Sequence, residues 1–150
     1  MSTLAAIRPD DWNLPLFVHV LGAIVLVGGV AAAASALALA RGNVGMLRTG
    51  YYSLLAVALP GWILMRVGAQ WIYDKEGFEA GEEPTWFAIG WFTADPGGAL
   101  LVVALVLGGV GVRRLGDGRG SGFLKATMAI SLILLAAYVV AIWAMSGKPG

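Results

Sequence analysis

Residues 14–40 read LPLFVHVLGAIVLVGGVAAAASALALA, a run without Asp, Glu, Lys or Arg. At 1.5 Å per residue an α-helix of this length spans about 40 Å, enough to cross a hydrocarbon core of about 30 Å. Three further apolar runs follow, Gly50–Tyr73, Gly97–Val112 and Phe123–Met145, with charged punctuation between them. Only 13% of the 150 residues are charged and the mean hydropathy is +0.80. A soluble domain of this size needs a more charged surface. The pattern predicts an all-α fold, an integral membrane four-helix up-and-down bundle forming one domain, with spans at about 14–40, 47–73, 96–114 and 123–145.

The punctuation places the helix ends. Asn13 is a good N-cap residue, with Pro15 in the first turn where a missing N–H is harmless. Arg41-Gly42-Asn43 ends the first helix. Pro60-Gly61 falls inside the second, where the proline frees the Ala56 carbonyl and predicts a kink. The acidic stretch Asp74–Thr85 reads as a solvated, mobile loop. Trp86, Phe87, Trp91 and Phe92 then suit a short interfacial helix before helix three, opened by Pro84, with rings at headgroup level. Asp95-Pro96 supplies an N-cap and first-turn proline for helix three itself. Leu115–Gly122 is a short glycine-rich turn.

Charge asymmetry predicts orientation. Arg41, Arg48, Arg113, Arg114, Arg119 and Lys125 crowd the first and third loops, with Asp117 as the lone acid there. By the positive-inside rule these loops face the cytoplasm, and both termini and the acidic second loop face outward. The first run follows Arg8, Asp10 and Asp11 and exceeds a signal-peptide core, so it reads as a retained span. Abundant glycine and alanine, with arginine in excess of lysine, suggest a GC-rich bacterial genome.

Composition also excludes function classes. The net charge of +1 argues against nucleic-acid partners, which select a basic patch. The chain has no cysteine, so disulfides, thiolate metal sites and cysteine nucleophiles are absent. No phosphate-binding glycine loop with lysine and no HExxH motif occurs, and a single histidine supports no Ser/His/Asp set. Gly108-Gly109-Val110-Gly111 lies inside a span and reads as helix packing. The expectation is a protein that is not an enzyme.

In lipid, helices meet through small residues that allow close backbone approach. His19, Gly22, Gly29, Ala33 and Ala36 share one face of helix one. Thr127, Ser131, Tyr138 and Met145 share one face of helix four. Ala104 and Gly108 lie one turn apart in helix three. Two hairpins of similar design form a faint internal repeat, as any two hairpins would.

Five polar residues fall in the outer half once the orientation is set: His19, Arg66, Gln70, Asp95 and Tyr138. They are the candidate outer polar pocket. Arg66 is the costliest, since arginine at a bilayer centre costs on the order of 3 kcal/mol. It calls for a carboxylate partner, Asp95 first and Asp74 second. His19, the sole histidine, is either a buried imidazole bonded to a neighbouring helix or a ligand for copper or haem. A second ligand would be a methionine, Met145 or Met65, or would come from another subunit.

The stretch Phe17-Val18-His19-Val20-Leu21-Gly22-Ala23-Ile24-Val25-Leu26-Val27-Gly28-Gly29 resembles the first helix of small bacterial membrane proteins of the copper-resistance D (CopD) type. That group shows a histidine early in helix one and a glycine pair about three turns later. The resemblance implies a helical bundle in the bacterial cytoplasmic membrane, and copper or haem handling through His19.

Three functional readings stay open. The first is a non-catalytic accessory or assembly protein, with the lipid bilayer and a homo-oligomer or larger membrane complex as its partners. The second is a copper- or haem-linked protein using His19 and Met145. The third is a small-solute or ion permease with its pocket at His19, Arg66 and Asp95.

Overall fold

The structure, a computed structural model, describes residues 10–77 and 84–147. It is all helical. A 3-10 turn at Asp10–Trp12 leads into α1, Asn13–Leu39. The second span is α2, Val44–Ser53, then a π-turn at Leu54–Ala58, then α3, Leu59–Glu76. The third span is α4, Thr85–Arg113, and the fourth is α5, Ser121–Gly147. All four spans are long and apolar enough to cross a membrane.

Local chemistry explains most of the ends. Trp12, not Asn13, holds the N-cap position of α1, and no side chain caps it. Arg41 and Gly42 turn the chain at φ 45° and 85°, the left-handed region that glycine enters without penalty. Asn43 then caps α2, its side-chain oxygen accepting the Met46 N–H at 3.1 Å. Gly77, at φ 61°, closes α3 by donating its N–H to the Tyr73 carbonyl. Helix two therefore runs through Asp74, Lys75 and Glu76, which the sequence had placed in the loop. The remainder of that acidic loop, residues 78–83, lies outside the described residues.

Pro60 sits where the sequence placed it, and Pro96 does not. Pro60 does sit within the second span, but the chain widens before it: the Leu59 N–H reaches back to the Leu54 carbonyl, five residues away. The extra residue in that turn moves the preceding carbonyls away from the proline ring. Pro96 lies inside one continuous helix from Thr85 to Arg113. There is no separate interfacial helix at Trp86–Phe92 and no break at Asp95-Pro96, which corrects the sequence expectation. Proline at 96 removes one hydrogen bond, to the Phe92 carbonyl, and in an apolar bundle the neighbouring helices keep the rest of the helix in place.

The two hairpins pack by one rule. In the first, Gly22 lies on Met65, Leu26 on Gly61, Gly29 on Ala58 and His19 on Gly68. Numbers on one helix rise by three and four as those on the other fall by three and four, the register of an antiparallel seam. In the second, Gly90 meets Met145, Gly97 meets Tyr138, Gly108 meets Thr127 and Gly111 meets Leu124, one number again rising by as much as the other falls. The faces expected from helices one, three and four are thus seams, with Ala36 at the margin of the first.

The approach is close because glycine removes the side chain from one partner. A Cβ built on Gly29 would lie 2.6 Å from the backbone nitrogen of Ala58. The hairpins join where α1 packs on α5 and where Trp62 and Tyr51 of the second span lie over Gly98 and Gly108 of α4. Small residues such as Gly22 and Ala33 are buried in the seams beside core side chains Leu26, Leu54, Leu101 and Leu134, while other large apolar side chains face outward, Ile24 65% and Phe92 71% exposed. Small residues at the seams and apolar side chains on the outside suit lipid as the surrounding solvent.

Candidate functional site

Arg66 projects from α3 toward α4 and meets Asp95 as a two-pronged pair. Nε donates to Oδ1 at 2.7 Å and Nη2 to Oδ2 at 3.3 Å. Such fork geometry is the strongest form of the arginine–carboxylate contact. The guanidinium carbon lies 4.4 Å from the centroid of the Trp91 ring, a cation–π contact. Nη1 reaches Gln70 Oε1 at 3.4 Å, and Gln70 in turn donates to Asp74 at 2.9 Å. Asp95 and Trp91 are four apart on α4, and Arg66, Gln70 and Asp74 are four apart on α3. One helical face from each side therefore supplies the whole network.

Aromatic rings close its Asp74 end. Tyr73 stacks on Phe87 at 5.4 Å between centroids, and Trp91 lies 6.2 Å from Phe87. One turn further in, the Trp62 indole N–H donates to the Ala94 carbonyl at 2.8 Å. Beyond the rings, Lys75 bonds Asp11 at 2.6 Å, pinning the chain's first described turn to the end of α3.

Depth follows from helix rise. Arg66 lies eighteen residues from Arg48 and Asp95 eighteen from Arg113, about 27 Å in each case at 1.5 Å per residue. With Arg48 and Arg113 at one headgroup layer, the pair sits near the far edge of a core of about 30 Å. Side-chain exposures of 22% for Arg66 and 38% for Asp95 leave the pair partly buried by protein.

His19 occupies a different place. Its Nδ1 lies 3.0 Å from the Met65 carbonyl. The acceptor is an oxygen, so Nδ1 carries the proton. The backbone of His19 rests against Gly68, so the imidazole belongs to the first hairpin's seam. Its partner is a main-chain carbonyl of the neighbouring helix, not a side chain of the candidate pocket.

Tyr138 belongs to the other seam. It is 4% exposed, its ring lies over Gly97, and its hydroxyl has no hydrogen-bond partner among the described residues. Met145 packs its terminal methyl on Gly90. His19 and Met145 thus make their contacts in separate seams. Among the described residues no three of His, Asp or Glu are grouped as a metal site would group them.

The five residues read as one outer pocket are therefore divided. Arg66, Gln70 and Asp95 come together, while His19 and Tyr138 are each packed into a hairpin seam. The sequence reading missed Trp91. Its signal was present as a four-residue spacing from Asp95, but a helix boundary set at Asp95-Pro96 hid it. The hydroxyls of helix four also mostly bond their own helix, Thr127 to Phe123 at 2.9 Å and Ser131 to Thr127 at 2.8 Å. Among the described residues Thr127 alone reaches across, to Ala104 at 3.4 Å. Compared with known proteins, the chain matches no family model, no curated protein and no solved structure.

Proposed function

We propose that the protein is a non-catalytic, multi-pass protein of a bacterial cytoplasmic membrane, acting as an accessory or assembly component of a larger membrane complex. One observation carries this reading: the side chains of the Arg66 network and of His19 are spent on one another or on main-chain carbonyls. Arg66 is held by Asp95, Gln70 and Trp91, and His19 by Met65. A permease pocket keeps polar groups available for its solute, and this network instead clasps α3 to α4. In this reading both basic turns face the cytoplasm and both termini face outward, as loop charge requires.

A second reading draws on His19. A metal-ligating histidine donates one ring N–H to a carbonyl or carboxylate and offers the other nitrogen to the metal. The Nδ1 contact with the Met65 carbonyl is of that kind, and with the resemblance to CopD-type first helices it supports copper or haem at Nε2.

Purified protein separates the readings. For wild type and His19→Gln alike, the accessory role predicts no Soret band, copper well below one per chain, and no solute-dependent flux in liposomes. A Soret band or stoichiometric copper lost in His19→Gln would establish the second reading. Solute-dependent flux lost in Asp95→Asn would replace both with a permease.

A further inference from the structure

Cations at the two ends of the bundle are treated differently. At the aromatic end, Arg66 and Lys75 each have a carboxylate partner. At the other end Arg41, Arg48, Arg113, Arg114, Arg119 and Lys125 make no ion pair among the described residues, and Asp117 is the only acid in the adjoining turns. Arg41 and Lys125 also line a cavity of about 280 Å³ between the α1–α2 turn and the start of α5. Its floor is apolar, formed by Leu37, Leu47, Leu124 and Met128.

We propose that this cavity binds an anionic phospholipid, with Arg41 and Lys125 on the phosphate and the upper acyl chain over the apolar floor. Charge complementarity selects the occupant. Two unpaired cations at the rim of a span stand where lipid phosphates lie, and basic pockets between transmembrane helices hold anionic headgroups. A zwitterionic lipid brings its own cation and satisfies this rim less well. A free phosphate leaves the half-exposed apolar side chains of Leu47 and Met128 uncovered. The volume is just under the range of small-molecule sites, which fits a headgroup and the first part of a chain. The site is separate from the Arg66–Asp95 network and does not depend on the accessory role.

Native mass spectrometry of detergent-purified protein with phosphatidylglycerol or phosphatidylcholine tests this. The expected result is retention of phosphatidylglycerol over phosphatidylcholine, weakened about thirty-fold in Arg41→Gln/Lys125→Gln, the combined worth of two basic side chains at a headgroup. Arg41→Lys/Lys125→Arg should retain the lipid, and Arg113→Gln/Arg119→Gln should lose little. Equal melting of all variants in phosphatidylcholine confirms that they fold; should the glutamine pair melt early, Lys125→Gln alone is compared. Equal retention of the two lipids, or equal weakening in the Arg113/Arg119 variant, would overturn the proposal. So would full displacement of the lipid by millimolar inorganic phosphate, which would mark a free-anion site.

Discussion

Gly22→Ala is expected to lower stability in detergent by about 3 kcal/mol or more. The added methyl would strike the Met65 backbone nitrogen, with the Gly61 carbonyl 2.8 Å away. Overpacking costs about 1–3 kcal/mol when side chains can yield. Here the obstacle is the main chain of the second span, so relief requires the helices to separate. Separation would loosen Gly29 from Ala58 and His19 from Gly68 as well. Gly28→Ala is the internal control. Nothing lies within 4 Å of a Cβ there, and a helix-interior alanine gains about 0.5–1 kcal/mol over glycine. Equilibrium unfolding in mixed micelles should put the two variants on opposite sides of wild type.

Asp95→Ala should cost about 2–3 kcal/mol. The loss comes mainly from stranding the Arg66 charge and only partly from losing an attraction. Breaking a buried pair costs about 3–5 kcal/mol because an uncompensated charge remains, and the partial exposure of this pair lowers that figure. Arg66→Met/Asp95→Leu should therefore recover to within about 1 kcal/mol of wild type, since removing both charges leaves nothing stranded. The double-mutant cycle isolates the coupling. A double variant as unstable as Asp95→Ala would show that the guanidinium stabilises the seam through Trp91 and Gln70 instead.

The sequence carried the architecture clearly and the site partly, for a physical reason. Four apolar runs of spanning length leave few alternatives in lipid, because only helices satisfy their own backbone there. The pairing of Arg66 with Asp95 was also legible, since a charge in that place needs a counter-charge. Helix boundaries were less so. Pro96 reads as a helix start by rules drawn from water, where a lost backbone bond exposes a carbonyl and ends the helix. Within the bundle the helix continues through it, carrying Asp95 more than two turns into α4 and bringing Trp91 under Arg66. The π-turn at Leu54–Ala58 leaves no composition signal at all. The face containing Gly22 and Gly29 was visible, but its partner was not: small residues on α1 do not say which helix bears Gly61 and Gly68. That choice is made by the reciprocal register, which only three dimensions display.

The central claim is that four helices cross a membrane with the basic turns on one side and the aromatic end on the other. The chain has no cysteine, so a single introduced one gives a unique label. Thr85 is exposed at the start of α4, and Gly116 is exposed in the turn before α5 with open space around its Cβ position. In intact cells a membrane-impermeant maleimide should modify Thr85→Cys and should reach Gly116→Cys only after permeabilisation. Modification of both from the outside would contradict the crossing of α4, and the reverse pattern would contradict the orientation.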